Sequence, residues 1–361
     1  MPAELFSVEQ VERARRYHRP LYLALLLDVT LGLAVLSVLA FTRVGSRLYD
    51  AVSGAAFPAV VVLVPAAVRL PLSFWRGHVY ERRWGFSTQS VWAWLRDRAK
   101  SLTVSVLLVS GALLGLVGLA RWLTRAWPLV AAPAAAAAVL LFGFAAPVLL
   151  EPLFNRFAPL RDADLAAGLR ALARRAGVPV REVLVADASR RTRKVNAYVS
   201  GLGATRRVVL FDTMLARGDP RQIRLVVAHE LGHRRARHVA KATALGMAGA
   251  VALVLLLWAL VSRPGDLREA PRVLIVAGAL ELLALPLGSA VSRRWERQAD
   301  RFSLDLTGDL EAFESAHREL ATANLSDLDP PPALYALLFT HPTTPERIAA
   351  ARAWAHGATV G

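Results

Sequence analysis

The chain has 361 residues, of which 55% are hydrophobic and only 20% charged, and it contains no cysteine. A soluble globular domain carries roughly 45–50% apolar and about 25% charged residues, so an apolar excess gathered in blocks excludes an ordinary soluble protein, and the missing thiols exclude disulfides, thiolate metal sites, cysteine nucleophiles and a prenylated C-terminus. The formal charge of +16, from 44 basic against 28 acidic side chains, comes without a basic stripe interleaved with aromatics; no nucleic-acid partner is expected, and the arginines read as loops at a membrane surface.

Six apolar runs reach or approach the roughly 20 residues that cross a bilayer core: Pro20 to Phe41, Ala51 to Val68, Leu102 to Ala120, Trp127 to Leu150, Val239 to Val261, and Val273 to Val291. Pro58, Pro65 and Arg69 interrupt the second, which is tolerable where neighbouring helices satisfy the freed backbone groups. Arg13, Arg15, Arg16 and Arg19 precede the first run, and Arg76, Arg82, Arg83, Arg96, Arg98 and Lys100 separate the second from the third, whereas the alternate connections are poorer in bases. The positive-inside rule then puts both termini and the polar segment from Glu151 to His238 on the cytoplasmic side. The arginine- and alanine-rich composition points to a bacterial cytoplasmic membrane. Glu281, inside the sixth run, is costly in lipid and is expected to face a hydrated interior or a partner.

Beyond the fourth run, helical spacing from Ala163 to Ala176 ends at Gly177 and Pro179. Short strand-like runs follow at Val183 to Ala186, Val195 to Val199 and Arg207 to Phe211. Asp219 can cap a helix with Pro220 just inside it. That helix carries Ala228-His229-Glu230-Leu231-Gly232-His233.

His229 and His233, four residues apart, project from one helix face and can hold one zinc, while Glu230 points at the open coordination position. There it can take a proton from zinc-activated water and pass it to the leaving amine. Catalytic zinc takes a third protein ligand, and the metzincin position for one is Val239. Glu296, in Ser292-Arg293-Arg294-Trp295-Glu296-Arg297-Gln298-Ala299-Asp300, is the better candidate. It lies 63 residues after His233, and a membrane hairpin formed by the fifth and sixth runs returns the chain to the same side. Asp300, one turn on, can accept a hydrogen bond from a ligand imidazole and fix its tautomer. His238 is expected to be structural rather than a ligand, and Arg234, Arg235 and Arg237 read as an anchor at the lipid headgroups.

These residues carry a resemblance to the M48 zinc metallopeptidases, specifically the Ste24-type CAAX prenyl protease branch. Further motifs extend it: Tyr80 to Gln89, Glu151 to Phe157, Asn196-Ala197-Tyr198 through Gly201-Leu202-Gly203, Val209 to Thr213, and His341-Pro342 with Glu346-Arg347. The resemblance implies a mainly α integral membrane protein, a multi-span helical barrel enclosing a hydrated chamber, with a small zincin-like α/β metallopeptidase domain and one Zn2+ per chain. It makes Asn196, Ala197 and Tyr198 an edge strand for a peptide substrate; unaided, they read as a buried sheet turn. It gives His341 and Arg347 to the oxyanion; unaided, Thr340 to Pro345 is a helix N-terminus followed by a surface arginine. The expected organisation is a membrane region of about four helices over 1–150, a cytoplasmic catalytic segment over 151–238, a transmembrane hairpin over 239–292 and a C-terminal catalytic segment over 293–361.

The expected activity is a membrane-embedded zinc metalloendopeptidase acting on peptides or proteins, with or without a lipid group, in contact with membrane lipids. Within that class, CAAX-type processing competes with membrane-protein quality control of the HtpX kind. An idle scaffold that keeps zinc for structure is the reading from another class, and the presence of Glu230 beside intact ligands argues against it. Oligomeric state is not written in the sequence.

Overall fold

A computed structural model describes residues 5–52, 54–201 and 206–358; Leu202 and Gly203 of the glycine motif lie outside them. The helices are α1 (Val8–Phe41), α2 (Arg43–Ala51), α3 (Phe57–Phe74), α4 (Val91–Leu123), α5 (Trp127–Leu149), α6 (Ala163–Arg175), α7 (Pro220–Arg235), α8 (His238–Leu260), α9 (Ala270–Thr307), α10 (Leu310–Asn324), α11 (Pro332–Leu338) and α12 (Thr344–Ala358), with shorter turns between them. Among the described residues, six helical stretches are long and apolar enough to cross a membrane: Val8–Phe41, Gly54–Arg83, Val91–Leu123, Trp127–Phe154, His238–Leu260 and Leu267–Thr307.

Around the bundle α1 packs on α3, α3 on α4, α4 on α5, α5 on α8, α8 on α9 and α9 back on α1, so the six helices close a ring. Arg69, which breaks the second apolar run, is paired with Asp28 of α1 at 3.4 Å and bonds Pro65 O at 3.2 Å. Gly32 packs against that guanidinium, with a Cβ there at ordinary contact distance, 3.4 Å from Arg69 Nη1. Glu281 is exposed along α9.

The helices outrun their apolar blocks. With 34 residues, α1 is about 51 Å long against a hydrocarbon core of roughly 30 Å. Its first turns dock on the loop after α10: Arg15 pairs with Asp329 at 2.9 Å, His18 Nε2 meets Leu325 O at 2.7 Å, and Tyr22 donates to Asp327 at 2.5 Å. Likewise α9 runs for 38 residues, from the apolar stretch through Glu296 and Asp300, so the division at 292/293 falls inside one continuous helix.

The small unit at this end of the ring has a four-stranded sheet, β1 (Phe157–Pro159), β2 (Glu182–Ala186), β3 (Ala197–Ser200) and β4 (Arg207–Phe211), in the order β1-β2-β4-β3. The β2/β4 pair is parallel and both outer pairs are antiparallel. Its core joins Leu165, Leu169 and Leu172 of α6, Val183, Val208 and Leu210 of the sheet, and Ile223, Val227 and Leu231 of α7, with Phe302 and Leu306 of α9 packed against it. Both the segment before the membrane hairpin and the segment after it therefore build one core.

Candidate metal centre

Asp219 caps α7, accepting from Arg221 N at 2.8 Å, and Pro220 occupies the first turn. The helix packs along α9, which brings His229 and His233 against Glu296. Nε2 of His229 lies 3.1 Å from Nε2 of His233, His229 Nε2 lies 3.3 Å from Glu296 Oε2, and His233 Nε2 lies 3.2 Å from Glu296 Oε1. A tetrahedral zinc with bonds of about 2.0–2.1 Å separates its donors by roughly 3.3 Å, the value around which these distances cluster. Glu296 is 5% exposed, and its buried Oε2 has no hydrogen-bond partner. A divalent cation satisfies such an oxygen, which is otherwise costly to bury, so the residues fit the metal.

Asp300 Oδ1 lies 2.9 Å from His229 Nδ1, so the ring proton sits on Nδ1 and Nε2 offers its lone pair. Arg347 donates to Asp300 from Nε at 2.8 Å and also from Nη2. Burial works against charge on both His229 and Arg347, but the carboxylates outweigh it. Asp300 and Glu296 raise the His229 pKa to about 9, and Asp300 holds that of Arg347 above its ordinary value. The carboxylates that favour positive charge here favour a metal cation equally, and its binding displaces the Nε2 proton and leaves Nε2 with its lone pair. Behind Asp300, His317 stacks on Phe313, donates from Nδ1 to Phe313 O at 2.8 Å, and keeps Nε2 4.0 Å from Asp300. Burial, with the Arg347 charge, pushes its pKa down to about 3.

Glu230 is half-buried between the two histidines and interacts with the charges of Arg234 and Arg347. His341 is exposed in the loop before α12, with Nε2 3.3 Å from Glu296 Oε1. The Thr340 to Pro345 stretch does open a helix, through bonds exchanged between Thr343 and Glu346, but Arg347 turns inward. Ala197 and Tyr198 lie in β3, at the sheet edge, and Asn196 precedes it. Asn196 O accepts from Phe211 N of β4 at 3.0 Å, while its side chain accepts from Ala197 N at 2.9 Å. Tyr198 is half-buried, and burial together with Glu151 raises the pKa of its phenol.

Residues 159–355 match peptidase family M48. The chain belongs to this family. Residues 3–156 match the CAAX prenyl protease N-terminal region, described as five membrane helices, which places this M48 peptidase in the Ste24-type branch. Among its described residues that region has four helices of membrane-crossing length, and the amphipathic α2 between the first two has nine residues. The chain is similar to the uncharacterized metalloprotease YhfN of Bacillus subtilis (strain 168), 30% identical over 81% of this chain and 71% of that one. It is also similar to a CAAX prenyl protease 1 homolog of Arabidopsis thaliana, 30% identical over 78% of this chain and 69% of the relative. The crystal structure of S. mikatae Ste24p shares the fold, with a TM-score of 0.77 at 24% identity, covering 96% of this chain and 89% of that one. M48 metallopeptidases are zinc-dependent, so this one is an integral membrane zinc metalloprotease whose substrate is a peptide or protein.

Two features of this M48 site lie beyond its motifs. Arg234 is not a headgroup anchor: it is half-buried and donates to Val199 O on the outer edge of β3. His238 stacks on Trp295 and contacts His233. A spacing of five residues gives no shared helix face, so the sequence alone does not pair them. The turn that does so places Arg237 at φ 57°.

Proposed function

We propose that His229, His233 and Glu296 hold one zinc per chain and that Glu230 is the general base of peptide-bond hydrolysis. The observation that carries this is the triangle of donor atoms at 3.1, 3.2 and 3.3 Å around a buried carboxylate oxygen with no hydrogen-bond partner. Zinc bound there supplies a Lewis acid that polarises the scissile carbonyl and lowers the pKa of water to about 7. Glu230 takes the proton from the attacking water and hands it to the leaving amine. The ring of His341 donates to the oxygen on which negative charge develops. Arg347 acts through Asp300, which keeps the proton of His229 on Nδ1 and its Nε2 turned inward.

The substrate chain pairs with the open edge of β3, where Ala197 O and Val199 N–H point away from β4, and Asn196 and Tyr198 flank it. The likeness to CAAX prenyl proteases supports peptides with a C-terminal CAAX sequence whose cysteine carries an isoprenoid, held where the ring meets the membrane lipids. The arginine distribution supports a cytoplasmic placement of the catalytic unit and both termini, and the composition supports a bacterial source.

The test is cleavage of quenched fluorescent peptides, with and without a farnesylated CAAX end, by wild type and Glu230→Gln in detergent. Wild type should cleave in a chelator-sensitive way, and the variant should lose about 10²–10⁴-fold in rate. Cleavage that persists in Glu230→Gln removes the general base from that residue. Equal rates with and without farnesyl remove the CAAX preference and favour general turnover of membrane proteins.

A further inference from the structure

Behind His233 runs a chain of contacts to which the hydrolytic reading gives no role. His233 Nδ1 lies 2.9 Å from His238 Nδ1, and His238 Nε2 lies 3.0 Å from Gln298 Oε1. The His238 ring is buried and stacked on Trp295, with centroids 5.0 Å apart and planes 10° from parallel. Two Nδ1 atoms at this distance share one proton. Were it carried by His238, a neutral His233 would hold its own proton on Nε2, the atom that faces His229 and Glu296, and could not ligate. One arrangement of neutral rings leaves that atom bare: His233 donates from Nδ1 to His238 Nδ1, and His238 donates from Nε2 to the Gln298 carbonyl.

We infer that His238 and Gln298 form a tautomer-fixing relay that orients His233 and keeps its Nε2 available to zinc. The inference rests on the zinc assignment above and gives His238 a positioning role. His229 and His233 are thus held by different acceptors, a carboxylate for one and a neutral imidazole for the other.

One helix, α9, backs both arrangements. Glu296 and Asp300, four apart on α9, meet His229; Trp295 and Gln298, three apart on the same helix, meet His238. The left-handed Arg237 reverses the chain between α7 and α8 and lays His238, the first residue of α8, beside His233.

The test uses the full-length protein in detergent and measures zinc affinity by chelator competition, visible absorption of the cobalt-substituted protein, and melting. His238→Ala should weaken zinc binding by about 10–100-fold, and His238→Asn, whose amide oxygen accepts from His233, should recover most of it. Gln298→Met lies on an exposed position and touches neither zinc nor His233. It should still weaken binding severalfold and shift the cobalt bands without lowering the melting temperature. Unchanged affinity and spectrum in His238→Ala overturn the relay. So does a wild-type result for Gln298→Met beside a weakened His238→Ala, because His238 would then act only by packing on Trp295. His229→Ala is the control: full zinc retention there overturns the ligand assignment itself, whereas loss of zinc there with intact His238 variants overturns the relay alone.

Discussion

Asp300 meets His229 through Oδ1 and Arg347 through both oxygens, so one carboxylate fixes an imidazole and neutralises a largely buried guanidinium. These two duties separate experimentally. Asp300→Asn should cost roughly 3 kcal/mol of stability, because the buried arginine keeps only the more distant Glu296, at 3.9 Å, as an ion-pair partner, and should weaken zinc binding by about 10–100-fold. Adding Arg347→Met removes the stranded cation, so the double variant should regain melting temperature but not zinc affinity. Recovery of both in calorimetry and chelator competition would mean that Asp300 does not orient His229. His317 gives a pH signature. Its folded pKa of about 3 lies below the roughly 6.5 of an exposed ring, so the unfolded chain binds the proton first as pH falls. The ring has no influence above pH 6.5, and stability falls by about 1.4 kcal/mol per unit from there towards pH 3. Between pH 7 and 5, His317→Leu should therefore escape about 2 kcal/mol of the acid destabilisation of wild type; parallel melting profiles would show that the ring is not held neutral.

At the scale of elements, one position between α7 and α9 carries no side chain. A Cβ on Gly232 would lie 3.1 Å from Phe302 Cδ1 and 3.2 Å from both Cα and O of Ala299, so the backbones of α7 and α9 approach through this glycine. Replacing a mid-helix glycine with alanine normally stabilises by about 1 kcal/mol. Here Gly232→Ala should instead destabilise by about 1–3 kcal/mol and weaken zinc binding, because separating the helices parts His233 from Glu296. A rise in melting temperature with intact zinc affinity would show that α9 yields freely. The same residues mark what the sequence could and could not carry. His229 and His233 share a face by their spacing alone, and Glu296 was accessible because the apolar hairpin between has the length to return the chain. Gly232 owes its identity to Ala299 on another helix, and His238 owes its place to a left-handed turn, neither of which leaves a periodic signal. β1 escaped for a related reason: three residues ending in Pro159 are too few to show alternation.

For the whole molecule, the question is how a membrane ring holds a zinc unit in register, and the motifs at the boundary answer it. Glu81 pairs with Lys194 at 2.9 Å and accepts from Tyr17, tying α1 and the end of the second span to the loop before β3. Asp97 of α4 pairs with Arg191 at 2.8 Å, and Thr88 and Phe86 exchange backbone bonds with Arg191 and Arg193. Glu151, at the foot of α5, accepts from Ser200 at 3.0 Å, Tyr198 at 3.3 Å and Arg207 at 3.1 Å. These ties reach β3 and its neighbours, not α7, whose histidines are placed by α9. Loss of a tie should therefore disturb peptide pairing more than metal binding. Glu151→Ala removes three acceptor contacts, one of them to a cation, and should lower stability by about 3 kcal/mol. It should raise KM as the edge strand loses its footing on the ring, while kcat and zinc content stay near wild type. The measurement is steady-state cleavage of one peptide beside metal analysis of the same preparation. Zinc loss with unchanged KM would transfer the role of Glu151 from the edge strand to α7, and the ring would then act on the metal rather than on the substrate.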